Sequence, residues 1–270
     1  MKKSVSPKFV IGLGASAGGL EALEHFFAHA PTNADAAYVV IMHLSRDFKS
    51  MLDELLARHT SMPVKAAIDG DRLEGNTVYI IQPATTIEIL GSKLKVYSRP
   101  VIDGVGAVTT IDDFFKTLAD QWKERSGGIV LSGSGSDGAE GILAVSKAGG
   151  FTAAQSPETA KFDSMPLAAI STRAVRAIDV PEQLGAIVVD GMRFPASKPY
   201  VAVLSDHDSA LAKILKAVVG ISNIDAAQYK HSMFERRVRK RMMHLQIGSL
   251  TAYANLVADD PVEAKTLADT

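Results

Sequence analysis

The chain has 270 residues, 47% of them apolar and 6% aromatic, and its 29 Lys and Arg against 30 Asp and Glu leave a formal charge of −1. That is enough apolar material for one large domain, or a medium one with a small companion, and the near-neutral balance gives no overall attraction to nucleic acid or membrane. There are no cysteines, so disulfides, thiolate metal sites and cysteine nucleophiles are excluded together, as suits a reducing cytosol.

The basic start MKKSVSPKFVIGLG carries only a short apolar stretch that breaks on glycines, and it reads as a first strand rather than a signal peptide. No run approaches the roughly 20 apolar residues of a membrane span, so a cytoplasmic protein is expected. Strands are predicted at KFVIGL (8–13), AAYVVIM (36–42), TVYII (77–81), GGIVLSG (127–133), FTAAQ (151–155) and AVRAID (174–179). Most are continuously apolar, as strands covered on both faces are. Helical spacing recurs between them: Leu20, Leu23 and Phe27, then LDELLARH (52–59), then DDFFKTLADQW (112–122). The stretch TTIEILGSKLKVYS (85–98) alternates around Gly91-Ser92 and predicts a hairpin added to the sheet. Strand–helix alternation points to an α/β fold with a doubly wound, mostly parallel sheet. Pro195 and Pro199 interrupt the pattern, and beyond them only helical patterns remain. The expected organisation is an α/β domain at 1–192, a linker at 193–207 and a small all-α module at 208–270.

The segment VIGLGASAGGLEAL (10–23) offers two readings. Gly12, Gly14 and Ala17 satisfy G-x-G-x-x-G/A after a strand, the dinucleotide fingerprint. That reading requires a carboxylate at the end of the second strand, where this chain has His43. The other reading is G-x-S-x-G, a strand-to-helix turn that projects the hydroxyl of Ser16. On its own, Ser16 could simply cap the following helix. However, His43 follows the second strand, and Asp137 stands in LSGSGSDGAEG (131–141), another strand–glycine turn–helix unit. In a doubly wound sheet such ends line one crevice. They offer a nucleophile, a base and an orienting acid, in an order unlike that of α/β-hydrolases. Asp137 before Gly138 could equally be a turn residue capping the next helix.

These blocks, with MHL, AIDGDRLEGNTVYIIQP, IVLSGSGSDGAEGILAVSKAGG and SMPLAAIS, occur in the order of the CheB catalytic domain, and residues 8–190 resemble that family. The resemblance implies a protein-glutamate methylesterase that releases methanol from glutamate γ-methyl esters of chemoreceptor helices, with glutamine deamidation as a related activity. It makes Ser16 the nucleophile, His43 the base and Asp137 the orienting acid, with no cofactor and no metal. Ala17, Ser134 and Gly135 are the oxyanion and loop candidates. Ala17 replaces the family's common threonine, Ser134 a common methionine, and VIDGVGAVTTI (101–111) an arginine-containing stretch. A receiver domain ahead of the esterase is not expected from this sequence.

The segment IDAAQYKHSMFERRVRKRMMHLQIGSLTAYANLVADDPVEAKTL resembles the N-terminal helical domain of CheR, the receptor methyltransferase. The chain then reads as the front of a CheB–CheR fusion, with the S-adenosylmethionine domain expected beyond Thr270. The run Arg236, Arg237, Arg239, Lys240 and Arg241 stands opposite an apolar stripe of Phe234, Val238 and Met242. It is a docking candidate for glutamate-rich receptor helices or a signalling complex such as a histidine kinase. Nucleic acid is disfavoured because no aromatics interleave with it. The competing reading from another class is a receptor- or kinase-binding module with little turnover.

Overall fold

The computed structural model describes residues 6–42, 52–98, 110–194, 210–218 apart from 212, 231–245, 247 and 249–269. The chain divides into two compact units, Met1–Pro199 and Tyr200–Thr270.

In the first unit, strands β1 (Phe9–Ala15), β2 (Ala36–Met42), β3 (Val64–Ala66), β4 (Thr77–Ile80), β7 (Ser126–Val130), β8 (Phe151–Gln155) and β9 (Ala177–Asp179) form one sheet in the order β3-β4-β2-β1-β7-β8-β9. Every adjacent pair is parallel. The helices are α1 (Gly19–His29), α2 (Leu52–Ala57), α3 (Thr110–Trp122), α4 (Ala139–Lys147), α5 (Ser164–Ser171) and α6 (Pro181–Arg193). The expected doubly wound class holds.

Strand β1 shows how the sheet is covered on both faces. Ile11, Leu13 and Ala15 belong to a buried cluster with Leu23, Phe26 and Phe27 of α1 and Leu184 and Val188 of α6. On the opposite face two of the alternate positions, 12 and 14, are glycines. A Cβ at Gly12 would meet the Phe114 ring at 2.9 Å and also overlap Phe115, and one at Gly14 would overlap Ile111. The rings of α3 fill that space, so these two glycines serve close helix–strand packing.

Four features differ from expectation. The hairpin β5 (Thr85–Leu90) and β6 (Lys93–Ser98) is antiparallel as expected but forms a separate two-stranded sheet. Side chains of α3 hold it there. Ile89 N–H donates to Thr117 Oγ1 at 3.2 Å, Gly91 N–H to Gln121 Oε1 at 2.9 Å, and Trp122 Nε1–H to Gly91 O at 3.0 Å. Strand β7 stops at Val130, short of the expected Gly133, and β9 keeps only the end of AVRAID. Strand β3 was not expected, since three residues, none of them buried, carry no readable period.

The second unit contains helical residues 210–211 and 213–218 (α7), α8 (His231–His244), α9 (Leu250–Asp259) and α10 (Pro261–Asp269). Phe234 and Val238 of α8 are buried with Tyr253, Val257, Ala264 and Leu267. Ser249 caps α9 by accepting Ala252 N–H at 3.3 Å. No helix among the described residues is long and apolar enough to cross a membrane.

Candidate active site

The strand order reverses between β1 and β7. Chain leaving β1 builds β2, β4 and β3 on one side, then returns to lay β7, β8 and β9 on the other. The crevice beyond the carboxyl ends at such a switch point is where ligands bind in this fold class. Ser16 leaves β1 there, and residues 131–137 leave β7 beside it.

The β1 turn is sharp. Gly18 caps α1 in the left-handed region at φ 69°, with no side-chain cap bond. The N-cap position thus belongs to Gly18 and not to Ser16. Ser16 O accepts Gly19 N–H at 2.9 Å, and Ser16 N–H donates to Ser132 O at 3.0 Å, which ties the turn to the β7 loop. Gly133 makes that contact close, because a Cβ there would overlap Met165 Sδ and come within 3.0 Å of Ser16 Cβ.

Asp137 is buried, at 8% exposure. It does not cap α4, whose cap is Gly138 with no side-chain bond. It receives instead the first turn of α3: Ile111 N–H donates to Oδ2 at 3.0 Å and Asp112 N–H to Oδ1 at 2.9 Å. An anion at a helix N-terminus is stabilised by the free N–H groups and the macrodipole. Two oxygens with about four lone-pair sites keep capacity for an imidazole N–H besides these bonds. Asp112 completes a reciprocal arrangement, accepting Gly141 N–H of α4 at 2.7 Å. Burial raises the Asp112 carboxyl above its ordinary value, and the neighbouring Asp137 adds to that, while the Gly141 N–H opposes both.

Met42 is in register with Ala15, the residue before Ser16. His43, next in sequence, lies outside the described residues. Of the oxyanion candidates, Ser134 and Gly135 are exposed, with Gly135 at φ 92°. Gly133 N–H is already committed to Phe162 O at 2.9 Å. Among the described residues, the Ala17 and Ser134 N–H groups meet no protein acceptor.

A groove of about 630 Å³ opens beside Gly18, lined among others by Glu21, His25, Lys161 and Glu182. His25 Nδ1 lies 2.5 Å from Glu182 Oε1, and that bond raises the imidazole above its ordinary value. Ser16 and Asp137 form no part of its walls, so it is not where the triad chemistry is placed.

The basic run on α8 is only partly a free surface. Arg241 forms a bidentate pair with Glu263 of α10, Nε to Oε1 at 3.0 Å and NH2 to Oε2 at 2.5 Å, and the two side chains are 18% and 8% exposed. Tyr253 O–H donates to Glu263 Oε1 at 2.7 Å. Arg241 is thus an internal tie, which corrects its place in the expected docking face. Lys240 is exposed and Arg237 half-buried. The side chains of Arg236 and Arg239 lie outside the described residues.

Sequence reasoning passed over Ser132, Gln155 and Asp112. Asp112 had a readable signal, an acid in the first turn of a helix, whereas the roles of Ser132 and Gln155 exist only through partners distant in sequence.

Residues 11–188 match the CheB methylesterase model, and residues 209–270 match the CheR methyltransferase all-alpha domain. A protein-glutamate methylesterase/protein-glutamine glutaminase of Anaeromyxobacter dehalogenans is 33% identical over 197 residues, covering 71% of this chain and 56% of that protein. An uncharacterized 104.1 kDa protein of Rhodobacter capsulatus is 33% identical over 236 residues, covering 79% of this chain and 24% of that protein. The chain therefore spans between about a quarter and just over half of the curated relatives it matches. The crystal structure of the Thermotoga maritima CheB methylesterase catalytic domain superposes with a TM-score of 0.62 at 23% identity, over 69% of this chain and 99% of that one. With the match extending over well more than half of its length, the chain belongs to the CheB methylesterase family.

Proposed function

We propose that the chain is a serine esterase that hydrolyses glutamate γ-methyl esters on chemoreceptor helices, with glutamine deamidation as a related activity of the same site. One observation carries the reading. The turn holding Ser16 is hydrogen-bonded to the loop holding Asp137 at the switch point of the sheet, and the Asp137 carboxylate is held on two backbone N–H groups.

In this mechanism His43 takes the proton of Ser16 Oγ as it attacks the ester carbonyl. The Ser16 Oγ–carbonyl carbon bond forms, the bond to the methoxy oxygen breaks, and His43 returns the proton to methanol. Asp137 accepts the imidazole N–H and stabilises its charged form. Water then cleaves the acyl-enzyme by the same route. The Ala17 and Ser134 N–H groups are the proposed oxyanion donors, and losing one such donor typically costs about 10²–10³ in rate. The esterase draws on no cofactor. S-adenosylmethionine would belong to a methyltransferase catalytic domain, and no residue here is proposed to hold it. Lys240 and Arg237, with Arg236 and Arg239, are the proposed docking residues for acidic receptor helices. The proposed setting is the cytoplasm.

The test is methanol release from methylated chemoreceptor membranes by the full chain and by Ser16→Ala. Release by the parent and none by the variant is expected. Release by neither, with receptor binding retained, would replace esterase by binding module. Equal release by both would overturn Ser16.

A further inference from the structure

Ser132, 1% exposed, has every polar atom engaged, and together they tie the 16–17 turn to two other segments. Its N–H donates to Gln155 Oε1 at the end of β8, at 2.9 Å. Its carbonyl accepts Ser16 N–H at 3.0 Å. Its hydroxyl donates to Ala17 O at 2.9 Å and accepts Phe162 N–H at 3.0 Å, with Phe162 O a weaker second acceptor at 3.4 Å. The hydroxyl also fills the space a side chain at Gly18 would need, 2.9 Å from such a Cβ. Gly133 extends the junction, with its N–H on Phe162 O and its carbonyl accepting Met165 N–H at 3.0 Å.

Peptide planarity turns these bonds into an orientation. In a trans peptide the C=O and the following N–H point in opposite directions. Pinning Ala17 O therefore sets the direction of Gly18 N–H, just as the Gly19 N–H bond to Ser16 O sets that of Ala17 N–H. The Ser132 carbonyl removes Ser16 N–H from the set of possible oxyanion donors. One residue thus holds the two peptide planes that flank the one carrying Ala17 N–H, and so restrains that amide from both sides. A displacement of about an ångström at such a turn can cost on the order of 10² in rate.

Resting on Ser16 as the nucleophile, we propose that Ser132 is a positioning residue for turnover: its hydroxyl clamps the Ala17–Gly18 peptide and thereby restrains the adjoining peptide whose Ala17 N–H is the proposed oxyanion donor. It does not touch substrate, so its loss should act on kcat and leave KM in place.

The experiment uses the full chain with p-nitrophenyl acetate, each preparation titrated with a fluorophosphonate so that kcat refers to reactive Ser16 only. If the parent does not label at Ser16, the nucleophile assignment fails, independently of Ser132. With labelling intact, Ser132→Ala should lower titrated kcat tenfold or more with KM within twofold. Ser132→Thr, which keeps the donor, should recover most of it, and the pH dependence should stay that of the parent. A merely structural serine would lower the titrated fraction but not kcat per labelled site. Titrated kcat of Ser132→Ala within twofold of the parent overturns the proposal. Should that variant not fold, Ser132→Cys is read instead, since it keeps the size with a weak donor. A fivefold or larger loss of kcat supports the clamp, and parental kcat overturns it.

Discussion

Asp137→Asn separates the two jobs the structure gives this side chain. Each carboxylate oxygen accepts one N–H of α3, from Ile111 and from Asp112. Asparagine keeps one acceptor oxygen and sets an NH2 against the other donor, so one buried N–H loses its partner, at a cost of about 1–3 kcal/mol. The lost charge at the α3 N-terminus adds about 0.3–1 kcal/mol. For a unit of this size each kcal/mol lowers Tm by about 2–4 °C, so the variant should melt several degrees below the parent. The catalytic effect is of another scale. With asparagine in place the His43 tautomer is wrong, and the rate per folded molecule should fall by up to about 10⁴. The assays are thermal unfolding by circular dichroism and ester hydrolysis normalised to the folded fraction. A variant that melts several degrees lower yet turns over within twofold of the parent would leave Asp137 as a helix anchor and refute its part in the triad.

Two further predictions concern buried acids. Asp112 is raised above its ordinary 3.8 by burial and by Asp137, with Lys116 opposing. A raised carboxyl favours the folded state at low pH, and that contribution is lost as pH climbs from about 4 through the folded value. The Tm of Asp112→Asn relative to the parent should therefore become more positive as pH rises from about 4 through the folded value, and a falling difference would show that the burial argument has the wrong sign. Glu263 is the opposite case: burial pushes its carboxyl up, but the hydrogen bonds from Arg241 and Tyr253 outweigh that and hold it below the ordinary 4.5. Its contribution is present above about pH 4.5 and is lost on acidification. Glu263→Gln should cost about 2 kcal/mol at pH 7, near thirtyfold in amide hydrogen exchange across α10, and progressively less as pH falls from about 4.5 through the folded value. Equal loss at neutral and at low pH would mean that packing, and not the ion pair, joins α8 to α10.

The legible parts of this fold are those where a local pattern decides the outcome. The continuous apolar runs of β1 and β2 and the Gly91-Ser92 alternation announced two central strands and a hairpin. Where the hairpin attaches was not legible, because Thr117, Gln121 and Trp122 of α3 decide it from across the chain. The AVRAID run was shortened for a similar reason. Thr152 takes up Ala174 O through its side chain and accepts Arg176 N–H through its backbone before ladder pairing begins at Ala177.

In the site, Ser16 and Asp137 were visible as chemistry-bearing residues in glycine turns, although the sequence could not show that Asp137 seats on α3. The basic run read as one face, yet Arg241 turns inward to an acid 22 positions away. Reversing Arg241 would therefore break the helical unit rather than probe docking, and Lys240 is the cleaner probe. Ser132 was one serine among three in SGSGS, and its role comes from four bonds to three separate segments, the 16–17 turn, Gln155 and Phe162.

The most direct test of the central claim is the intact mass of the full chain after treatment with a fluorophosphonate, followed by peptide mapping. One adduct per chain, located on Ser16 and absent from Ser16→Ala, is the expected result. A native, folded chain that takes no adduct, or takes it at another serine, would contradict the assignment of Ser16 as the nucleophile.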